Sequence, residues 1–290
     1  MTARSPVSVV VANNRARVAD VEATWRSLTT ELAASDEVIW VDQAGLGRPL
    51  LRGPRVVAID VPVGAGRGRC NAVGLAAASH PLVAFTDSST TVEPGWVDAA
   101  IAGLRHSCAV GGPVLPGNGK RVRDWAGFFI DYATHAVPPY LSASRDVAGN
   151  NVAYRRVCLP ERPGELWKDR IDRQLSRLGE RPRALPTMTV RSQRRYSWWD
   201  LTMGQLLAGA SYGADRAATW SRLHRVCAAA GCAALPFLAC VRIWVRVRKA
   251  DQLRQHWTAA LPLVLLARTA WAAGEAKGYL TRQGDGRRVW

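Results

Sequence analysis

Two aspartates stand where a strand-like run stops and a loop begins. Asp87 follows Leu82–Phe85 in the string AFTDSSTTVEPGW, and Asp42 follows Glu37–Val41 in EVIWVDQ. A third such end, VSVVVANN, carries Asn13 and Asn14 beyond the β-branched run Val7–Val11. A carboxylate in that position can bind a sugar hydroxyl or hold a cation against phosphates. An acid after a strand can equally cap a helix, so residue types alone leave both readings open.

Other chemistry finds less support. GAGRG after Val56–Val61 lacks GxGxxG spacing, has no suitably placed acid about 20 residues on, and no Walker A sequence is present. Histidines 80, 106, 135, 224 and 256 form no ligand spacing. Cysteines 70, 108, 158, 227, 232 and 240 contain no CxxC pair, and nothing supplies a fourth zinc ligand, so they read as buried free thiols.

The elements that must position the two aspartates alternate. Strand runs at Val7–Val11, Glu37–Val41, Val56–Val61, Leu82–Phe85 and Cys108–Val110 are interleaved with helical spacing at Val18–Leu32, Cys70–Ala78 and Val97–Leu104. That order predicts an α/β fold, a mostly parallel sheet covered by helices on both faces. Ligands of such sheets bind beyond the C-terminal strand ends, which is where Asn13, Asn14, Asp42 and Asp87 fall. Residues 116–148 predict a helix between loops, Glu165–Leu178 a further helix, and Pro182 to Pro186 a break. From Trp198 onward the pattern is helical, which sets a boundary near residue 195 between an α/β body (1–195) and a helical basic region (196–290).

Several ordered motifs resemble family 2 glycosyltransferases, in particular membrane-associated, actinobacterial-type members. The string from Asp87 to Trp96 resembles the family's Asp-rich triplet followed by proline and Gly-Trp; VSVVVANN resembles the opening donor strand, with Ala12 in place of the usual proline. EVIWVDQ resembles the strand whose closing acid, here Asp42, binds the nucleotide base. GRGRCNAVGLAAA resembles the helix start that sets Arg69 and Asn71 beside the donor, and AGNNVAYRR the segment that lines the acceptor side with Asn150 and Asn151. AVGGPVLP and RSQRRYSWWD extend the match to about residues 7–200. The resemblance implies a GT-A fold, a nucleotide-sugar donor bound by Ala12, Asn13, Asn14, Asp42, Arg69, Asn71, Asp87 and Ser89, and a lipid-linked or glycan acceptor.

The departures bear on mechanism. The metal-touching end of the triplet is Ser89, the C-terminal histidine of many relatives falls on Ser192, and the catalytic-base acid falls on Lys168, with Asp169 beside it. One residue along a helix is a rotation of about 100°, and a neutral hydroxyl is a poor substitute for a carboxylate towards a hard cation. No cofactor follows from the residues themselves. The resemblance implies Mg2+ or Mn2+, for which Asp87 is the one evident acid, while Lys168, Arg194 and Arg195 are the fixed cations that could face a diphosphate in its place. The expectation is an inverting glycosyltransferase with Asp169 as general base, and the competing reading is a degenerate GT-A domain that binds nucleotide sugar or a partner without transfer.

Composition fits these expectations. Of 290 residues 48% are apolar and 21% charged, which excludes disorder over most of the chain. No 18-residue apolar run is free of charge and no signal-peptide pattern opens the chain, so a cytosolic location is expected. Residues 191–290 hold 16 Lys/Arg against 5 Asp/Glu, which is +11 of the net +16. The basic residues flank the apolar stretches Val226–Val241 and Trp257–Ala273, each somewhat short for a bilayer crossing, with Trp244, Trp257 and Trp271 suited to an interface. That pattern predicts peripheral attachment to the anionic inner face of the cell membrane, with two helices packed on the core as the alternative. Nucleic acid is not an expected partner, since no recognition motif is present.

Overall fold

A computed structural model describes residues 4–13, 17–43, 55–117, 121–136, 147–161 and 164–284, apart from the side chain of residue 169. The first half runs β1 (Val7–Asn13), α1 (Val18–Thr29), β2 (Glu37–Gln43), β3 (Val56–Val61), α2 (Arg67–Ala77), β4 (Leu82–Asp87), β5 (Thr90–Val92), α3 (Trp96–Leu104), β6 (Ala109–Gly111) and β7 (Val114–Pro116). There follow α4 (Val122–Tyr132), β8 (Val152–Arg155), α5 (Lys168–Arg177), β9 (Arg183–Ala184) and β10 (Val190–Ser192). The rest is helical: α6 (Trp198–Leu201), α7 (Met203–Arg216), α8 (Arg222–Gly231), α9 (Leu235–Val247) and α10 (Asp251–Thr281). Packing divides the chain into residues 1–117 with 138–194, and residues 118–137 with 195–290.

The first unit is built on a seven-stranded sheet of order β3-β2-β1-β4-β8-β6-β9. The strands β3, β2, β1 and β4 are parallel, β8 runs antiparallel to both neighbours, and β9 is parallel to β6. Every residue of β1 is buried, as is all of β2 but Glu37. Two-sided burial explains why these strands read as continuous apolar runs rather than as alternating ones. Ile39 and Val41 join a core with Cys70 and Leu75 of α2 and Ile171 and Leu175 of α5. Trp40, pointing the other way, meets Trp25 of α1 edge-on at 6.5 Å. Chain order reverses between β1 and β4, since β2 and β3 lie on one side of β1 and β4 on the other. In open α/β sheets ligands bind in a crevice at such a reversal, beyond the C-terminal strand ends.

Two local features aim loops at this crevice. Helix α2 starts at Arg67, three residues before the start read from the sequence, because extended Gly66 accepts hydrogen bonds from the amides of Arg69 and Cys70 through its carbonyl. Before α3, Gly95 takes φ of 82°, a left-handed conformation that disfavours residues with a Cβ.

The thiol expectation holds for only part of the set. Cys70 and Cys232 are buried and free, whereas Cys227 is exposed and Cys240 half-buried. Cys108 and Cys158 form a disulfide with Cα atoms 6.0 Å apart, across 50 residues of sequence. The antiparallel pairing of β6 with β8 brings these two together, a contact that spacing along the chain does not reveal.

The second unit is helical. Its α10 runs 31 residues, with Pro262 inside it, and packs on α7, α9, α4 and α8. Glu275 is buried there and accepts hydrogen bonds from Trp271 Nε1 at 2.9 Å and the Tyr279 hydroxyl at 2.5 Å. The stretch read as somewhat short for a crossing lies within a helical run, Arg222–Val247, of 26 residues. It is long and apolar enough to cross a membrane by length and composition, and only 17% of its most apolar window is buried. Leu223, Phe237, Leu238 and Val241 on it are exposed.

Candidate functional site

The ends of β2, β1 and β4 bring three of the expected residues together. In register, Asn13 lies opposite Asp42, and Ala12 lies opposite Asp87. Asn13 donates to Asp42 Oδ1 at 2.7 Å and accepts from the Ser88 hydroxyl at 2.6 Å, all three side chains being buried. The backbone of Ala12 accepts from Ser88 N at 3.2 Å, which locks the loop after β4 onto the end of β1. Asn14 lies outside the described residues.

Asp87 is the most densely bonded of these groups. Its Oδ1 accepts from the hydroxyls of Ser89 (2.9 Å) and Thr90 (2.7 Å) and from Ser89 N (3.0 Å), and its Oδ2 accepts from Arg67 Nη2 at 2.7 Å. Burial raises its pKa, but the Arg67 guanidinium and the two hydroxyls outweigh that and hold the carboxyl below the usual carboxylate range. Asn150 extends the network, donating to Thr90 Oγ1 at 3.1 Å. A buried chain of hydrogen bonds thus runs from the segment expected on the acceptor side to the acid expected on the donor side.

Arg67 was not among the residues singled out from the sequence. Arg69 was, but it is exposed and reaches the carbonyl of Gly164 at 3.3 Å. Two residues along a helix turn the side chain by about 200°, so only one of the two arginines can face the strand ends. Asn71, four residues after Arg67, shares its face, and its buried Oδ1 has no partner among the described residues. Trp167 was also missed. Its ring covers Gly68, where an added Cβ would come within 2.4 Å of it, so the lead-in to α5 lies directly on the start of α2.

Four of the expected site residues have partners within the protein. Lys168 is ion-paired with Asp172 one turn along α5, at i, i+4 spacing, and its stem runs beside Gly149. Arg195 donates to Asp124 Oδ2 at 2.9 Å and belongs to the helical unit, not to the strand ends. Asn151 accepts from Trp96 Nε1 at 2.8 Å and donates to the carbonyls of Met188 and Pro113 at 2.7 and 3.0 Å, so its whole amide holds the fold. Ser89 turns its hydroxyl to Asp87 rather than outward to a ligand. Arg194 is half-buried just past β10. Asp169 lies on the first turn of α5, with its side chain outside the described residues.

These donors do not fit a divalent cation. A hard cation takes six or more oxygen ligands and favours carboxylates. Here both oxygens of Asp87 are engaged, and among the described residues no group of three His, Cys, Asp or Glu could hold a metal. Ser192, opposite Thr90 in β10, is buried with its Oγ unpartnered among the described residues. A lone hydroxyl adds one neutral ligand, not a site.

Neither protein-family profiles nor curated proteins give a match to this chain. Solved structures do. A mannosyltransferase from Pyrobaculum calidifontis, solved with GDP-Man and Mn2+, aligns over 92% of this chain and 86% of its own at 16% identity, with TM-score 0.54. GalNAc-T7, solved with UDP, GalNAc and Mn2+, aligns over 70% of this chain and 46% of its own at 14% identity, with TM-score 0.51. The fold is GT-A-like. The parallel half-sheet, the helices on both its faces and the reversal between β1 and β4 are what this GT-A-like chain places around Asp42 and Asp87.

Proposed function

We propose that this chain is a nucleotide-sugar-dependent glycosyltransferase that inverts the anomeric carbon of its donor and works at the cytoplasmic face of a membrane on a lipid-linked or glycan acceptor. The observation that carries the reading is the pair Asp42 and Asp87 on either side of β1 in a GT-A-like fold, the first held by Asn13 and the second by Arg67, Ser89 and Thr90. In this reading Asp42 accepts from the base or ribose, and Asp87 with Arg67 meets the part of the donor nearer the reacting carbon. Asp169 is the proposed general base, a role typically worth ~10²–10⁴-fold in rate. The exposed apolar run Arg222–Val247, followed by Arg248 and Lys249, supports attachment to an anionic surface. The Cys108–Cys158 bond runs against the cytoplasmic placement, since disulfides persist mainly in oxidising compartments; labelling of the exposed Cys227 by an impermeant thiol reagent in intact cells would overturn that placement.

A second reading, a binding-only domain, is favoured by Lys168, which stands at the expected position of the base and is engaged by Asp172. A panel of GDP- and UDP-sugars, read first by thermal shift and then by nucleoside diphosphate release with membrane extract as acceptor, separates the two. Binding with release supports transfer, whereas binding without release supports the second reading. If no nucleotide sugar raises the melting temperature, both fall.

A further inference from the structure

We infer that Arg67 takes the place of the divalent cation: the Arg67–Asp87 pair is a built-in receptor for the diphosphate of a nucleotide donor, and the donor binds without metal. This rests on the proposed function and deepens it.

Three observations carry the inference. The carboxylate that would ligate a metal has its outer oxygen, Oδ2, engaged by Arg67, while Oδ1 accepts three hydrogen bonds from Ser89 and Thr90. A cation entering here would have to displace a guanidinium that is already charge-matched to the acid. The last position of the acidic triplet, Ser89, cannot compensate, because its hydroxyl donates to Asp87.

Arg67 itself is set to bind an anion. Its side chain is 24% exposed while that of Asp87 is 10% exposed, so the carboxylate lies behind the guanidinium. Among the described residues only Nη2 is engaged, which leaves most of the five N–H donors of the planar fork for a phosphate. Arg67 is also the first residue of α2, an 11-residue helix whose N-cap, Gly66, has no side chain to cap the free amides. The positive end of the helix and the guanidinium therefore act at the same place. Asp87 orients the guanidinium as a metal-binding carboxylate would orient an ion, and the positive charge that stabilises a departing nucleoside diphosphate is covalently part of the protein. Arginine at this position cannot be removed by a chelator.

The test is calorimetry of the full chain with UDP and GDP, in EDTA and in 5-fold excess Mn2+ over nucleotide, on the wild type and on Arg67→Ala and Arg67→Lys. Wild type is expected to bind one nucleotide with affinities within threefold of each other in the two buffers. Arg67→Ala is expected to lose tenfold or more in EDTA, and Arg67→Lys to recover part of that loss. Wild-type binding that improves 100-fold or more with Mn2+ overturns the inference while leaving the proposed function in place. Equal binding in both buffers together with an unchanged Arg67→Ala overturns it as well. No binding of either nucleotide in either buffer overturns the proposed function and the inference with it. The wild-type comparison stands even if Arg67→Ala fails to fold.

Discussion

The Nη2 of Arg67 donates to Oδ2 of Asp87 at 2.7 Å, joining the first residue of α2 to the last residue of β4. The pair ties the helix start to the strand ends at the point where the chain order reverses, and it gives the crevice a cation backed by an anion. On the proposed function, donor affinity depends on how that pair and Asp42 are held.

Asp42→Ala and Asp87→Asn are each expected to weaken nucleotide-sugar binding by about 1.5–3 kcal/mol, the range for losing a hydrogen bond to a charged group. Asp42→Ala removes the acceptor that Asn13 positions. Asp87→Asn keeps the volume and removes the charge behind Arg67. Calorimetry on folded variants checks both, and unchanged affinity in the two of them removes the donor-site assignment.

Asn151→Ala is expected to destabilise the α/β unit by about 3 kcal/mol with no specific effect on donor affinity per folded molecule. The substitution strands the Trp96 indole N–H and the carbonyls of Pro113 and Met188, all now hydrogen-bonded to one amide. Urea denaturation measures the loss, and a stable variant with impaired binding would return Asn151 to the acceptor side.

Acid should weaken the helical unit through Asp124. Its buried carboxylate accepts from Arg121 Nε, Arg195 Nη1 and Tyr196 N at 2.9–3.1 Å, and these partners outweigh burial to hold its pKa far below the ordinary carboxylate value. A depressed folded-state pKa contributes stability above the unfolded-state value, near 3.8, and loses it as pH falls below that value. Asp124→Asn is expected to cost about 2 kcal/mol at pH 7, the modest figure reflecting two partly exposed arginines. It should also flatten the pH dependence of urea midpoints between about pH 5 and pH 2. A variant whose midpoints keep the wild-type slope would assign the acid sensitivity elsewhere.

The full chain is expected to sediment with anionic liposomes at low salt, and Phe237→Glu with Leu238→Glu to reduce that association. Both side chains are about two-thirds exposed on the apolar run, at 66% and 60%. Each nearby basic residue adds ~1 kcal/mol towards an anionic surface. A wild-type chain that stays in the supernatant contradicts membrane attachment.

The strands β1 to β4 and β6, and the residues at their C-terminal ends, were legible in the sequence, whereas the antiparallel β8 and the order of the strands were not. Val7–Val11 and Glu37–Val41 are mostly β-branched apolar runs buried on both faces as central strands, whereas Val56–Val61 forms the partly exposed edge strand β3; Asp42 and Asp87 stand towards the C-terminal ends of β2 and β4. Tertiary structure decided which side chains meet there. Arg67 and Arg69 are equivalent in composition, but the start of α2 at Gly66 and the 100° turn per residue send Arg67 to Asp87 and Arg69 to Gly164. Asn150 and Asn151 are adjacent and identical, yet in the turn before β8 one reaches Thr90 and the other Trp96. The grouping of residues 118–137 with the C-terminal helices, and the Cys108–Cys158 bond, join positions dozens of residues apart. Local periodicity reports which face of an element is buried, and it carries no information about which distant element covers that face.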